Sequence, residues 1–208
     1  MEISIKTAQA LFKQNKYKEA IDTCNGILTI DPNSFNAFKL IAQSYLAINN
    51  IENARLYLNK ALNIKPDDYE IIKDLGNTYQ ASGDIINAKK YYKKALNINS
   101  NYAIALTNLG SIEINTDDKQ KGLFLLKKAT EADPQFAPAW VNLANGYFLL
   151  EKTKEAEIAC RKSIAINPNI INSHFLLATI LMGQKKLQEA EVSIRKSIEL
   201  NPNIFNSQ

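Results

Sequence analysis

The sequence is poor in the residues that most often carry chemistry. Among 208 residues there are one histidine and two cysteines. Cys24 and Cys160 give no disulfide framework. There is no glycine-rich phosphate loop, no CxxC pair and no HExxH, so the common phosphate- and metal-binding motifs are missing. Glycine (7) and proline (6) are scarce, which suits an all-helical chain better than a turn-rich β one. No apolar run approaches the roughly 20 residues of a membrane span. The opening MEISIKTAQALFKQNKYKEA lacks the apolar stretch and small-residue cleavage site of a signal peptide. These absences predict a chain of a reducing, cytoplasmic setting, with no membrane partner, no metal, no cofactor and no enzymatic activity.

What is present is the composition of a folded protein, 46% hydrophobic and 22% charged, well outside the disordered range. The net charge of +4 with a pI near 8.9 is only mildly basic and does not argue for a nucleic-acid partner.

The sequence also repeats. Prolines stand at Pro32, Pro66, Pro134, Pro168 and Pro202, separated by 34, 68, 34 and 34 residues, with Ser100 in the place of the missing one. In phase with them run Ala20, Ala54, Ala88, Gly122, Ala156 and Ala190, and also Ala8, Ala42, Gly76, Gly110, Ala144 and Ala178. Columns of small residues in register across six units establish a structural period.

Each unit reads as two helices. In the fifth, Trp140, Leu143, Ala144 and Tyr147 recur at helical spacing, and Ala156, Ile158, Ala159 and Ile164 do so again after the polar break EKTK. The Ala144 column predicts close approach of the two helices of a unit, and the Ala156 column predicts close approach between units. Proline after the second helix ends it. The polar neighbours Asn33, Asp67, Asn101, Asn169 and Asn203 are expected to cap the helix that follows.

This pattern resembles the tetratricopeptide repeat over essentially the whole chain. Ile72, Leu75, Gly76, Tyr79, Ala88, Tyr92 and Ala95 carry it, as do Trp140, Leu143, Ala144, Tyr147, Ala156 and Pro168. The resemblance implies an all-α, right-handed superhelical solenoid of antiparallel helix pairs. It would be a single domain, 1–204, of six repeats (1–34, 35–68, 69–102, 103–136, 137–170, 171–204), with 205–208 starting a seventh pair. Its first helices would line a concave groove that binds a peptide or protein segment, the work of a non-catalytic adaptor or scaffold. Bacterial proteins resembling this one are sometimes fused to glycosyltransferases or sulfotransferases, so a targeting module of such an enzyme is the alternative.

The first-helix positions that would face the groove are Lys39 and Gln43 in unit 2, and Glu70, Lys73, Asp74, Asn77 and Gln80 in unit 3. Unit 4 supplies Thr107, Asn108 and Asn115; unit 5 supplies Val141, Asn142, Asn145, Phe148 and Leu149; unit 6 supplies Phe175, Leu176, Thr179 and Met182. Lys73, Asn77 and Asn108 resemble part of the carboxylate clamp of chaperone-binding repeats, whose next two basic positions are Pro138 and Asn142 here. Asn108, Asn142, Asn77 and Asn145 resemble part of the asparagine ladder of O-linked N-acetylglucosamine transferase repeats, in which amides hold a peptide backbone. The competing reading is that asparagine is simply abundant. The apolar residues of units 5 and 6 either receive an apolar ligand segment or face the interior.

Two units depart from the pattern. Unit 1 has Ser4 and Thr7 where bulky residues stand elsewhere, as a water-facing cap would. Unit 4 has Glu113 in the tyrosine column and Lys119 at the start of its second helix. Because an unpaired buried carboxylate is costly, Glu113 is expected to escape to solvent; the other reading is a joint in the array. His174 and the two cysteines are expected to pack in the core, the cysteines too far apart for a disulfide or shared metal. The outer column Lys60, Lys93–Lys94, Lys127–Lys128, Arg161–Lys162 and Arg195–Lys196 reads as a solvated complement to the helix dipoles, or else as a stripe for RNA or an anionic surface. The final NPNIFNSQ repeats NPNIINSH from 34 residues earlier. That predicts an uncovered last helix, either continued in a longer array or paired with another copy of the chain.

Overall fold

The computed structural model describes residues 4–116 and 118–202, and among them every regular element is an α-helix. The chain gathers into two compact units, Met1–Ser100 and Asn101–Gln208; the boundary falls at Ser100, where the proline column is interrupted. The first unit holds α1 (Ile5–Lys13), α2 (Tyr17–Ile30), α3 (Phe35–Ala47), α4 (Ile51–Ile64), α5 (Tyr69–Ala81) and α6 (Ile85–Ile98). The second holds α7 (Ala103–Asn115), α8 (Lys119–Ala132), α9 (Ala137–Leu149), α10 (Thr153–Ile166), α11 (Ile171–Gly183) and α12 (Leu187–Leu200). In each unit the helices form consecutive antiparallel pairs, and within the unit the second helix of one pair packs on the first of the next. The start of a seventh pair at 205–208, and Asn203 as a cap, lie outside the described residues.

Helices of 13 and 14 residues are marginal alone, so packing must hold them. The turn inside five of the six pairs follows one recipe. Asn15, Asn49, Gly83, Glu151 and Lys185 all have φ between 58° and 78°. The next N–H then bonds the carbonyl five residues back, as in Asn50 to Tyr45 (2.8 Å) and Lys152 to Tyr147 (2.9 Å), a Schellman closure.

The two columns of small residues do one job. A Cβ on Gly76 would lie 2.6 Å from Tyr92 Cε1, and one on Gly122 would lie 2.5 Å from Ile114 N and 2.9 Å from Gly110 O. Gly122 therefore faces the first helix of its own pair, and the expectation that its column serves the junction between pairs is corrected. That junction uses residues seven further on: Ala61 is buried with Ile71 and Leu75 of α5. Ile158, read as part of the apolar face of its helix, is 67% exposed.

The capping expectation is also corrected by one position. The N-caps are Ser34, Asp68, Tyr102, Phe136 and Ile170. At Pro32, Pro134 and Pro168 the residue after proline is instead held by the Asx two positions before it. Asp31 Oδ1 accepts from Asn33 N (3.2 Å), Asp133 Oδ1 from Gln135 N (3.0 Å) and Asn167 Oδ1 from Asn169 N (3.0 Å), side-chain turns that compete with helix. At the amino end, Ser4 caps α1 by accepting from Thr7 N.

His174 and the cysteines are packing residues, as the sequence predicts. His174 Nε2 lies 2.8 Å from Pro168 O, and Trp140, at the same repeat position, donates its Nε1–H to Pro134 O at 3.0 Å. Cys24 and Cys160 are fully buried, and burial pushes their thiols up to about 11 and about 12. No described helix is long and apolar enough to cross a membrane.

Candidate functional site

In the first unit, the faces of α3 and α5 carry a charged network. Lys39 Nζ reaches from α3 to Glu70 Oε2 on α5, 2.5 Å away. Burial tends to lower the Lys39 pKa, but the hydrogen bond and charge of Glu70 more than offset it, and the net shift is upward. One turn along α5, Lys73 Nζ bonds Asp74 Oδ1, and Asn77 Nδ2 lies 3.4 Å from the same oxygen. Asp74 is 7% exposed. Burial raises its pKa, and the Lys73 charge and hydrogen bond offset that only in part.

The network continues inward. Tyr92 Oη of α6 lies 2.8 Å from Asn77 Oδ1 and 2.7 Å from Gln80 Oε1. A phenol has one proton, so one of these amides must turn its NH2 toward the phenol oxygen. Lys39, Lys73 and Asn77 are thus brought together on one face, with Gln43 half-buried on α3. Lys73 is already neutralised by Asp74, so it is no open cation of the clamp kind. Asp74 belongs to the network, and its signal in the sequence was a carboxylate at the repeat position that Asn108 and Asn142 fill in other pairs.

The second unit presents a different first-helix face. Asn108, Asn142 and Asn145 are half-buried. Asn142 donates its amide to Pro138 O on its own helix at 2.8 Å. Thr107 is not available: it is 3% exposed and bonds Ala103 O at 2.8 Å. Phe148 and Leu176 pack partly into the core, while Leu149, Phe175 and Met182 are 37%, 45% and 53% exposed. Leu149, Phe175 and Met182 therefore do not face the interior, whereas Phe148 and Leu176 partly do.

Glu113 does not escape to solvent. It is 2% exposed and receives Lys121 Nζ at 2.9 Å, which corrects the sequence expectation. A lysine that reaches back from the facing helix makes the burial tolerable.

The outer cations are not end-of-helix charges. No basic residue stands in the last turn of α4, α6, α8, α10 or α12, where alone the dipole acts strongly. Lys60 Nζ instead lies 4.8 Å from the Tyr57 ring centroid and Lys162 Nζ lies 6.0 Å from that of Trp140. Arg161 bridges Glu157 (2.9 Å) and Glu189 (2.6 Å), and Lys186 adds a bond to Glu157 at 3.1 Å. Burial tends to raise the Glu157 pKa, but these hydrogen bonds lower it overall.

Among the described residues no group of His, Cys, Asp or Glu is arranged to hold a metal ion.

The tetratricopeptide repeat family model matches residues 74–102, 103–136, 137–170 and 171–204. A second family model, anaphase-promoting complex, cyclosome, subunit 3, matches residues 3–61. No curated protein sequence matches the chain. Among solved structures, a chain of the APC/C hetero-tetramer Cut9–Hcn1 matches with a TM-score of 0.87 and 20% identity, over 97% of this chain and 40% of that one. The present chain thus spans well under half the length of that relative. MamA matches with a TM-score of 0.62 and 23% identity, over 84% of this chain and 95% of its own. PilF of Pseudomonas aeruginosa matches with a TM-score of 0.74 and 22% identity, over 82% and 78%. At these identities the likeness is one of fold.

Proposed function

Because this chain belongs to the tetratricopeptide repeat family, a family of protein-interaction modules, we propose that it is a non-catalytic scaffold that binds an extended protein segment along the exposed faces of its first helices. The observation that carries this reading is the contrast between what those faces expose and what the rest of the chain offers. Gln43, Asn77, Gln80, Asn108, Asn142 and Asn145 set amides at recurrent repeat positions, and an amide both donates and accepts, as main chain requires. Phe175 and Met182 are large apolar side chains left open to solvent, suited to anchor an apolar ligand side chain. Lys39 and Lys73 are paired with Glu70 and Asp74, so they tune a ligand's charge preference rather than hold a bare terminal carboxylate. The first-helix faces of the first unit favour an extended stretch neutral or mixed in charge, and those of the second unit favour an apolar stretch. The complex containing Cut9 and Hcn1 is consistent with a partner that is itself protein.

Selection from a random peptide library tests this. Selected peptides should bind the wild type and lose at least about tenfold in affinity to Phe175→Glu/Met182→Glu and to Gln43→Ala/Asn108→Ala. Peptides that bind these variants as well as the wild type would place the binding surface elsewhere.

A further inference from the structure

Helix α6 differs from the other second helices. Its sequence IINAKKYYKKALNI contains Lys89, Lys90, Lys93 and Lys94 and no carboxylate. Each of α2, α4, α8, α10 and α12 carries at least one Asp or Glu. At the repeat positions of Lys93 and Lys94, α10 and α12 have Arg161, Lys162, Arg195 and Lys196; Arg161, Arg195 and Lys196 are ion-paired to glutamates, and Lys162 lies over the Trp140 ring. Lys90, Lys93 and Lys94 have no ion pair among the described residues. Three of the four cations in this column on α10 and α12 are thus ion-paired, whereas α6 leaves Lys93 and Lys94 charged and adds Lys89 and Lys90 one turn earlier.

These lysines also share a face. Ile86, Lys89, Lys90, Lys93, Lys94 and Asn97 recur at intervals of three and four and border a shallow hollow of about 770 Å³. The row runs for about 16 Å along the helix, the reach of about five extended residues. At one end Ile86 is 84% exposed, an apolar contact beside the cations. Tyr91 also lines the hollow, but it is stacked on Tyr79 with centroids 5.1 Å apart, so one face of its ring is occupied. Single-stranded nucleic acid is held by aromatic platforms as well as by charge, and Tyr91 is poorly placed to supply one. Clustered like charges with an adjacent apolar residue suit carboxylates next to an apolar side chain.

We propose that this face of α6 docks an acidic, extended segment of a protein partner, with its carboxylates on Lys90, Lys93 and Lys94 and an apolar residue against Ile86. The residues involved are on a second helix and are separate from those of the first-helix faces, so the two readings fail independently.

The test is fluorescence anisotropy with a labelled synthetic peptide of glutamate and aspartate containing one leucine. Lys90→Ser/Lys93→Ser/Lys94→Ser should weaken binding at least about tenfold, and Ile86→Ser about threefold. The Arg version of the triple variant should retain binding. Lys16→Ser/Lys18→Ser/Lys154→Ser, which removes the same charge elsewhere, should stay within about twofold of wild type. Unchanged thermal melting of each variant shows that the fold is intact. Equal binding by wild type and the α6 triple variant, or equal loss in the control triple variant, would overturn the proposal. So would an oligouridylate or a phosphatidylserine vesicle that binds these lysines more tightly than the peptide.

Discussion

Glu113 Oε1 lies 2.9 Å from Lys121 Nζ, a carboxylate 2% exposed joined to an ammonium 44% exposed. The glutamate occupies the column of Tyr45, Tyr79 and Tyr147, and the lysine enters from the facing helix. Lys121→Ala removes a partner from a buried charge and should lower stability by roughly 1–3 kcal/mol, whereas Lys121→Arg should keep most of it. The hydrogen bond from Lys121 to Glu113 raises the lysine pKa. Its contribution is therefore present at neutral pH and fades as pH rises through the raised value. Urea denaturation of the three proteins measures both effects.

Asp74 gives the opposite sign. Its pKa is raised chiefly by burial, so the folded chain holds its proton more tightly than the unfolded one. Between the ordinary carboxylate pKa and the raised value, stability falls as pH rises. Asp74→Asn should therefore melt above the wild type at about pH 7, and the gap should close toward about pH 4. A variant that melts lower at neutral pH would make the carboxylate a structural asset.

Gly76 and Tyr92 are complementary in volume. A Cβ at Gly76 would sit 2.6 Å from the Tyr92 ring, and Tyr92 is fully buried. In other pairs alanine at this position faces Leu58 or Cys160. Gly76→Ala should lower stability by roughly 1–3 kcal/mol through overpacking. The penalty should shrink in a Tyr92→Leu background, a coupling that a double-mutant cycle reads directly.

Ser163 Oγ lies 2.8 Å from Ser173 Oγ and 3.1 Å from Ala137 O, all buried. Earlier pairs have Ala61, Ala95 and Ala129 in the Ser163 column, so Ser163→Ala fits the space. It still strands the Ser173 hydroxyl, with an expected loss of about 1 kcal/mol. Ser163→Ala/Ser173→Ala should cost less than the single change. A double variant less stable than Ser163→Ala would show that the hydroxyl pair stabilises the junction beyond mutual satisfaction.

The helix pairs were legible because each small residue answers to a volume set by its neighbour, as Gly76 answers to Tyr92. Proline as a terminator was legible for the same kind of local reason. The capping position was misread by one residue because Asp31, Asp133 and Asn167 claim the N–H after proline before the next helix begins. What the period could not supply is side-chain reach between helices. Arg55 of α4 bonds Thr78 O (3.2 Å) and Ser82 Oγ (3.0 Å) and lies 4.2 Å over the Tyr79 ring; no column announces it. The Lys73–Asp74 and Lys121–Glu113 pairs have the same character. On the candidate face, the amides were found from repeat position, while the neutralisation of Lys73 depended on whether its neighbour Asp74 was buried.

Hydrogen–deuterium exchange, with and without a library-selected peptide, bears most directly on ligand docking along the first helices. Added protection should fall on α3, α5, α7, α9 and α11 and spare α4, α10 and α12. Protection concentrated on the second helices, with α3, α5, α7, α9 and α11 unchanged, would contradict it.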